Sequence, residues 1–136
     1  MKLLLDECLG HPLVEDLAKL LSWDHPQPTI HHLSRYFSAG TVDSVWIPQI
    51  SAEGWIVLTG DRGKNKGDKL PAICVQYGVT HILMGSSLLH VRQIQKVTAI
   101  VAVWEEIKKC PDAPKGSRFT LRLNEHRYPS LRQVAL

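Results

Sequence analysis

Short apolar runs, each bounded by glycine, proline or a polar cluster, recur along the first two thirds of the chain. KLLL at 2–5, TIHHLS at 29–34, WIVLT at 55–59 and THILMG at 80–85 are too short for helices and predict four strands. The run WIVLT is apolar up to its final threonine, which is typical of a strand that is buried on both faces of a sheet.

Longer segments with helical spacing of apolar residues separate these runs. HPLVEDLAKLLS at 11–22 carries leucines at helical spacing, and its proline is tolerated in a first turn. Residues 39–54 predict a second helix, capped by Thr41 and interrupted or started by Pro48, and 69–78 predict a third. In the second helix the inward positions are expected to be Val45, Trp46, Ile50 and Ala52.

The last third of the chain begins with the longest periodic segment. Residues 86–110 predict one long helix, opened by two serines and buried along the stripe of Val91, Ile94, Val97, Val101, Trp104 and Ile107. RFTLRL at 118–123 alternates as a half-exposed strand does, and the tail after it either docks or frays. We therefore expect one domain over 1–136, with 110–136 as a peripheral strand and tail.

This alternation of strands and helices predicts an α/β protein. The expected architecture is a three-layer α/β/α sandwich around a central, mainly parallel sheet, joined by right-handed crossovers. Ligands of such sheets collect at the carboxyl ends of the strands. The search for a functional site therefore starts at those ends.

Composition agrees with a folded, soluble protein, because 44% of the residues are hydrophobic and 21% are charged. The three cysteines, Cys8, Cys74 and Cys110, are widely spaced and predict reduced thiols. The N-terminus has no secretory hydrophobic region, and no apolar run reaches the ~20 residues that span a bilayer. We expect a cytoplasmic location and no membrane contact.

Charge is distributed unevenly along the chain. Residues 1–60 hold three basic and seven acidic side chains, a net charge of −4, whereas residues 61–136 hold thirteen basic and six acidic ones, a net charge of +7. This asymmetry predicts an acidic patch beside a basic surface that attracts polyanions. The alternative is a set of solvated helix faces.

Three carboxylates fall where the ends of neighbouring strands meet. Asp6 ends the first strand, Asp61 follows the third, and Asp43 lies near the start of the helix before it. Carboxylates that converge repel one another unless a cation lies between them, and an all-oxygen ligand set favours Mg²⁺ or Mn²⁺. Such a cation can activate a water molecule beside a phosphoryl group. Taken singly, each acid has an ordinary alternative as a helix cap, a first-turn acid or a turn residue.

A basic loop follows Asp61 directly. Its side chains Arg62, Lys64, Lys66 and Lys69 are spaced by glycines, but no phosphate-binding loop of the form GxxxxGK[ST] fits them. They suit contacts to the phosphates on either side of a scissile bond, and the alternative is a solvated surface loop. Further basic residues that would extend a phosphate track are Arg92, Lys96, Arg118, Arg122 and Arg127.

The remaining polar candidates predict ordinary structural roles. We expect the adjacent His31 and His32 to be packed or exposed, His11 to lie in a loop, and Cys8 to be a semi-buried thiol without a histidine partner. The tryptophans at 46, 55 and 104 fall on inward positions and predict core packing.

Three stretches together resemble the PIN-like nucleases, and more closely the small stand-alone bacterial members of that family. These are LLLDE at 3–7, GTVDSVWIPQISAEGWIVLTGD at 40–61 and VTHILM at 79–84. The resemblance implies a parallel α/β/α sandwich, an acid cluster that binds Mg²⁺ or Mn²⁺, and cleavage of single-stranded RNA, often as the toxin of a toxin–antitoxin pair. It also implies an antitoxin protein and a homodimer as expected partners. By position, Asp6, Asp43 and Asp61 match the catalytic acids of the family.

The chain departs from the family pattern just after Asp61. Relatives commonly carry a second acid and a phenylalanine there, where this chain has Arg62, Gly63 and Lys64. Asp68 is the expected substitute ligand, followed by Glu7. The departure leaves a second hypothesis open, a degenerate PIN-like module that binds RNA or a protein without cleaving it.

Overall fold

A single six-stranded sheet forms the centre of the computed structural model, which describes residues 1–60 and 69–135. The spatial order is β2-β1-β3-β4-β5-β6; neighbours are parallel except for the antiparallel pair β5 and β6. The strands are β1 (Lys2–Leu5), β2 (Thr29–His32), β3 (Ile56–Thr59), β4 (His81–Met84), β5 (Arg118–Leu123) and β6 (Pro129–Val134). The first strand thus lies inside the sheet, between β2 and β3.

Helices cover this sheet on both sides, which confirms the predicted three-layer α/β architecture. They are α1 (His11–Leu20), α2 (Asp43–Ile50), α3 (Leu70–Gln76), α4 (Ser86–Leu89), α5 (Gln93–Ala102) and α6 (Trp104–Ile107). Short 3₁₀ turns at Leu33–Arg35 and Cys110–Asp112 complete the described elements.

Two hydrophobic clusters form because successive strand residues point to opposite faces of the sheet. On the first face, here called the α1–α5 face, Leu3, Leu5 and Leu58 pack with residues of α1 and α5. On the second, the α2–α3 face, Leu4 and Val57 pack with residues of α2 and α3. Burying each such side chain contributes about 1.5–3 kcal/mol. The three predicted core tryptophans, Trp46, Trp55 and Trp104, are all buried.

The predicted long helix over 86–110 is wrong. The chain bends at 90–92, where Arg92 is extended (φ −65°, ψ 155°), and again at Val103 (φ −105°, ψ 18°), so that α4, α5 and α6 are separate. The bends allow each short helix to turn its own apolar side chains into the α1–α5 cluster. Ile94, predicted to face inward, is 62% exposed as a result.

Helix α2 also differs from its prediction in detail. Thr41 does not cap it; its hydroxyl donates to the carbonyl of Ser38 at 2.6 Å, and the helix follows Val42. Trp46 and Ile50 face inward as predicted, whereas Val45 and Ala52 are exposed. Pro48 lies within the helix, which continues to Ile50.

The tail forms a regular strand rather than fraying. β6 pairs with β5 along its whole length, in a register that sets Leu131 opposite Leu121. Leucine 121 is fully buried and Leu131 packs against the same cluster, so one face of this hairpin completes the core.

Candidate functional site

Asp6 lies at the carboxyl end of β1, in the middle of the sheet. Its backbone N–H donates to the carbonyl of Leu58 at 3.0 Å, and only 8% of the residue is exposed. Its Oδ1 accepts from the Glu7 N–H at 2.6 Å, and its Oδ2 accepts from the Thr59 hydroxyl at 2.8 Å. No basic side chain of the described ranges forms an ion pair with it. Among the described residues, neutral donors therefore hold this nearly buried carboxylate in place.

The thiol of Cys8 lies beside this carboxylate. The residue is exposed as a whole, but its Sγ turns inward, 3.5 Å from Asp6 Oδ2, and accepts from the Gly60 N–H at 3.1 Å. Burial of the thiol, and then the charge of Asp6, raise the pKa of Cys8 to about 11. A thiol with so high a pKa is a poor nucleophile, in agreement with a packing role.

Asp43 is the first residue of α2, as the sequence predicts, and it is half-buried. Its Oδ1 accepts from the indole N–H of the fully buried Trp46 at 3.0 Å. This bond fixes the carboxylate to a core residue one turn along the helix. A half-buried aspartate so anchored has a defined orientation at the start of the helix.

Asp43 and Asp6 act on the same thiol of α3. Burial first, and then the charges of Asp43 and Asp6, raise the pKa of Cys74 to about 12. Both carboxylates, from distant parts of the sequence, therefore lie within electrostatic range of this one thiol.

Glu7 connects the loop after β1 to the loop before α2. Its carboxylate accepts from the Gly40 N–H, at 3.0 Å for Oε1 and 3.4 Å for Oε2. Gly40 has a left-handed backbone (φ 81°), which favours glycine at this turn. The chain has therefore turned at Glu7, and its carboxylate reaches toward the segment that carries Asp43.

Several predicted site residues lie outside the described residues. They are Asp61, Asp68 and the basic side chains Arg62, Lys64 and Lys66. Lys69 is described; it is exposed and immediately precedes α3. The strand that leads toward Asp61 ends at Thr59, whose hydroxyl contacts Asp6.

Comparison with known protein families decides the classification. The sequence profile described as a PIN like domain matches residues 1–86. This chain belongs to the PIN-like domain family. Comparisons with curated proteins and with solved structures give no match. The matched part of the PIN-like chain includes β1 to β4 and the positions of Asp6, Asp43 and Asp61, whereas α5 and the β5–β6 hairpin follow it.

The donor set of the PIN-like domain suits a hard divalent cation. Asp6 and Asp43 carry oxygen donors, and a carboxylate that accepts one or two hydrogen bonds keeps further lone pairs that a metal ion could use. Within residues 1–60 and 69–135, no three His, Cys, Asp or Glu side chains are grouped closely enough to hold a metal ion. A site of three carboxylates here would therefore need a ligand from 61–68, where Asp61 and Asp68 lie, and the metal cluster stays a prediction.

The predicted phosphate track is divided among different surfaces. Arg118 donates from Nε to His81 Nε2 at 3.2 Å, at the amino ends of β4 and β5. Arg127 lines a groove beside α5, and Arg92 precedes that helix. Arg122, near the carboxyl end of β5, is exposed, and Lys96 is half-buried. The five residues therefore form no single track. Arg132, which the sequence pattern did not single out, is also exposed.

His32 at the end of β2 and His11 at the start of α1 form a stacked pair, which the sequence did not predict. His32 is buried, as packing requires, and its Nε2 donates to the Leu9 carbonyl at 2.7 Å. His11, predicted in a loop, is the first residue of α1; its ring stacks on His32 at 4.1 Å. The Ser34 hydroxyl lies 2.8 Å from His32 Nδ1 and 3.1 Å from His11 Nε2. These contacts fix the turn after β2 beside the loop that follows Asp6.

No helix among the described residues is long and apolar enough to cross a membrane.

Proposed function

We propose that this PIN-like protein is a metal-dependent endoribonuclease that hydrolyses phosphodiesters of single-stranded RNA. The observation that carries the proposal is Asp6: a carboxylate with 8% exposure at the carboxyl end of an interior strand, oriented by the Thr59 hydroxyl and the Glu7 N–H. Burying a charge is costly unless it is paired, and catalytic centres are where such charges are retained. A divalent cation resolves this cost.

Asp6, Asp43 and Asp61 would hold Mg²⁺ or Mn²⁺, with Asp68 or Glu7 as a further ligand. The bound metal supplies an activated water and stabilises charge on a phosphoryl oxygen. The protein contributes orientation: Thr59 and the Glu7 N–H direct the Asp6 carboxylate, and the Trp46 indole directs that of Asp43. Fixed ligands of this kind lower the reorganisation needed in the transition state.

Substrate contacts would come from the basic side chains that follow Asp61 along the chain. Arg62, Lys64, Lys66 and Lys69 are suited to phosphates on either side of the scissile bond, because a phosphate contact positions a strand without reading its sequence. The single-stranded form of the RNA is what the resemblance to the PIN-like nucleases implies.

The proposal is tested by incubating the purified protein with a mixed pool of end-labelled single-stranded RNA in Mn²⁺, Mg²⁺ or EDTA. The wild type is compared with Asp6→Asn and Asp61→Asn, and with Asp112→Asn as a matched control, since Asp112 is an exposed acid in the loop before β5. Circular dichroism verifies that each variant is folded. We expect cleavage that needs metal, falls at least ~100-fold in the two site variants and is unchanged in the control.

Folded wild-type protein that neither cuts RNA nor binds Mn²⁺ by calorimetry would overturn the proposal. It would instead support a degenerate PIN-like module that binds RNA or a protein partner. The substitution of the second family acid by Arg62 is the sequence feature that favours this second function.

A role as the toxin of a toxin–antitoxin pair is the finer form of the proposal. Its test is induced expression in a bacterial host. The wild type is expected to arrest growth and degrade RNA, and Asp6→Asn at equal abundance is expected to do neither. Growth that continues while the wild-type protein accumulates in active form would remove the toxin role and leave the ribonuclease.

A further inference from the structure

The β5–β6 hairpin has one apolar face and one basic face. Its apolar positions Phe119, Leu121, Leu123 and Leu131 pack into the α1–α5 cluster. The intervening positions point the other way, because strand residues alternate and directly paired residues share a face. By the observed register these positions are Arg118, Thr120 and Arg122 on β5, opposite Val134, Arg132 and Ser130 on β6. This basic hairpin face carries three arginines, two hydroxyls and no acid.

Two of the three arginines are open to solvent. Arg122 and Arg132 are exposed, whereas Arg118 is half-buried against His81. The exposed pair lines a groove of about 370 Å³ together with Ser130, Asn124, Leu123 and Glu125. Glu125 belongs to the turn and lies 3.5 Å from the ring nitrogen of His126. The groove therefore has two cations on the strand positions and one acid at the turn.

The groove lies at the same edge of the sheet as the candidate metal site. Arg122 is near the carboxyl end of β5, and β4 is the single strand between β5 and β3, at whose end Thr59 contacts Asp6. Neighbouring strands are about 4.8 Å apart, so the ends of β3 and β5 are separated by roughly 10 Å. A nucleic acid strand bound at the candidate metal site can therefore reach the groove within a few nucleotides.

Close packing fixes Arg122 in this position. The Gly85 N–H at the end of β4 donates to the Leu121 carbonyl at 2.7 Å. A side chain at Gly85 would place its Cβ 3.1 Å from that of Arg122. The backbone of β5 is thus held against the end of β4, and Arg122 projects from a rigid element rather than from a loop.

We propose that Arg122 and Arg132 bind the phosphate backbone of the RNA substrate outside the cleavage site. The inference rests on the proposed ribonuclease function and extends it to residues beyond the matched PIN-like region. Guanidinium groups bind phosphate in a bidentate manner, and the hydroxyls of Thr120 and Ser130 are further donors to phosphate oxygens.

The chemistry of the basic hairpin face favours an RNA backbone over a protein partner. A protein interface usually has an apolar or aromatic centre, whereas the six positions of this face include one apolar residue, Val134, at the end of β6. No aromatic residue lies among them, so the face has no aromatic platform on which bases could stack. Recognition by this surface is therefore expected to be independent of base sequence.

Binding is measured separately from cleavage, by fluorescence anisotropy of a labelled single-stranded 20-mer in EDTA at several salt concentrations. The double variant Arg122→Gln/Arg132→Gln is compared with the wild type and with Lys109→Gln/Lys115→Gln. The control removes the same charge from exposed lysines in the segment before β5, at the opposite edge of the sheet.

Loss of two phosphate contacts should lower the slope of log K against log salt by about 1.4 and weaken binding roughly 10- to 30-fold at ~0.1 M salt. The control should retain wild-type affinity and slope. Equal affinities of the arginine variant and the control would overturn the inference, even if the wild type cleaves RNA. A wild type that neither binds nor cleaves RNA would overturn the proposed function as well, and cleavage assays identify that case.

An acidic peptide serves as a second probe for the same surface. A labelled poly-glutamate peptide could bind the wild type as tightly as RNA does and fail to bind the arginine variant. In that case the surface is a general site for acidic ligands and the RNA assignment is wrong.

Discussion

The hydroxyl of Thr59 donates a 2.8 Å hydrogen bond to Oδ2 of Asp6 and so joins the carboxyl ends of β3 and β1. Thr59 is fully buried and Asp6 nearly so, which makes this a charge-assisted bond in a poorly solvated place. A contact between residues 53 positions apart thereby orients the acid on which the proposed chemistry depends.

Replacing Thr59 by valine should therefore be costly despite the similar shape of the two side chains. The carboxylate of Asp6 loses a buried donor, for which we expect a fall of about 1–3 kcal/mol in the free energy of unfolding. Urea denaturation at pH 7 measures it. Thr98→Val is the control, because that exposed hydroxyl donates to a carbonyl within α5. Equal losses in the two variants would contradict a special role for the Thr59 contact.

Asp43 allows its charge to be separated from its hydrogen bond. Asparagine keeps an oxygen that accepts from the Trp46 indole, whereas alanine leaves that buried donor unpaired. We expect Asp43→Asn to retain nearly wild-type stability and Asp43→Ala to lose about 1–2 kcal/mol, while both lose RNA cleavage. Thermal unfolding and cleavage assays on the same samples test this. Full cleavage by Asp43→Asn would remove Asp43 from the ligand set.

His81 should make the protein sensitive to mild acid. Its ring is fully buried; Nδ1 donates to the Val79 carbonyl at 3.1 Å and Nε2 accepts from Arg118. One donating and one accepting nitrogen are the pattern of a neutral imidazole. Burial lowers the pKa of His81, and the charge of Arg118 lowers it further. The unfolded chain then takes up the proton first, so stability is complete above pH ~6.5 and falls as the pH drops below that value.

The difference in free energy of unfolding between the wild type and His81→Gln, followed as a function of pH, isolates this effect. Denaturant titrations between pH 4.5 and pH 8 should show a stability gap that narrows toward low pH, because glutamine does not titrate. A gap that is constant, or that widens in acid, would mean that His81 is charged in the folded protein.

A side chain at Gly85 should destabilise the fold, for steric rather than conformational reasons. Its backbone is ordinary (φ −67°), but an added Cβ would lie 3.1 Å from Arg122 Cβ and 3.3 Å from the Leu121 carbonyl oxygen. We expect Gly85→Ala to lower the free energy of unfolding by about 1–3 kcal/mol. It should also weaken RNA binding, because Arg122 would be displaced. Gly10→Ala is the matched control, since that glycine also precedes a helix and its Cβ would meet only Pro12 at 3.4 Å. An unchanged free energy of unfolding in Gly85→Ala would show that β5 can move away from the added methyl group.

The strands were the most predictable part of the fold. The apolar runs at 2–5 and 55–59 predict their strands to within a residue, because a strand that is covered on both faces has few positions left for polar side chains. The placement of Asp6 and Asp43 followed from the same pattern, since strand ends and helix starts share one edge in this topology.

Other features depend on contacts that no local pattern contains. The bend at Val103 divides a continuous helical stripe because Trp104 turns inward to donate its indole N–H to the buried Asp24 at 2.8 Å. The tail becomes β6 only through its pairing with β5, and Arg132 joins Arg122 only through that register. The predicted ligand Asp61 and loop residues 62–68 lie outside the described part of the chain, so their roles stay predictions.

The matched PIN-like region ends at residue 86, but the α1–α5 face of the sheet is covered largely by residues that follow it. A fragment ending there would lack Ile100, Trp104 and Leu121, which are buried in the same cluster as Leu3, Leu5 and Leu58. We expect such a fragment to aggregate or to form a loosely packed globule without protected amides, as hydrogen exchange would reveal. A protected, monomeric fragment would contradict this. The C-terminal third thus supplies part of the core beneath β1, the strand that ends at Asp6.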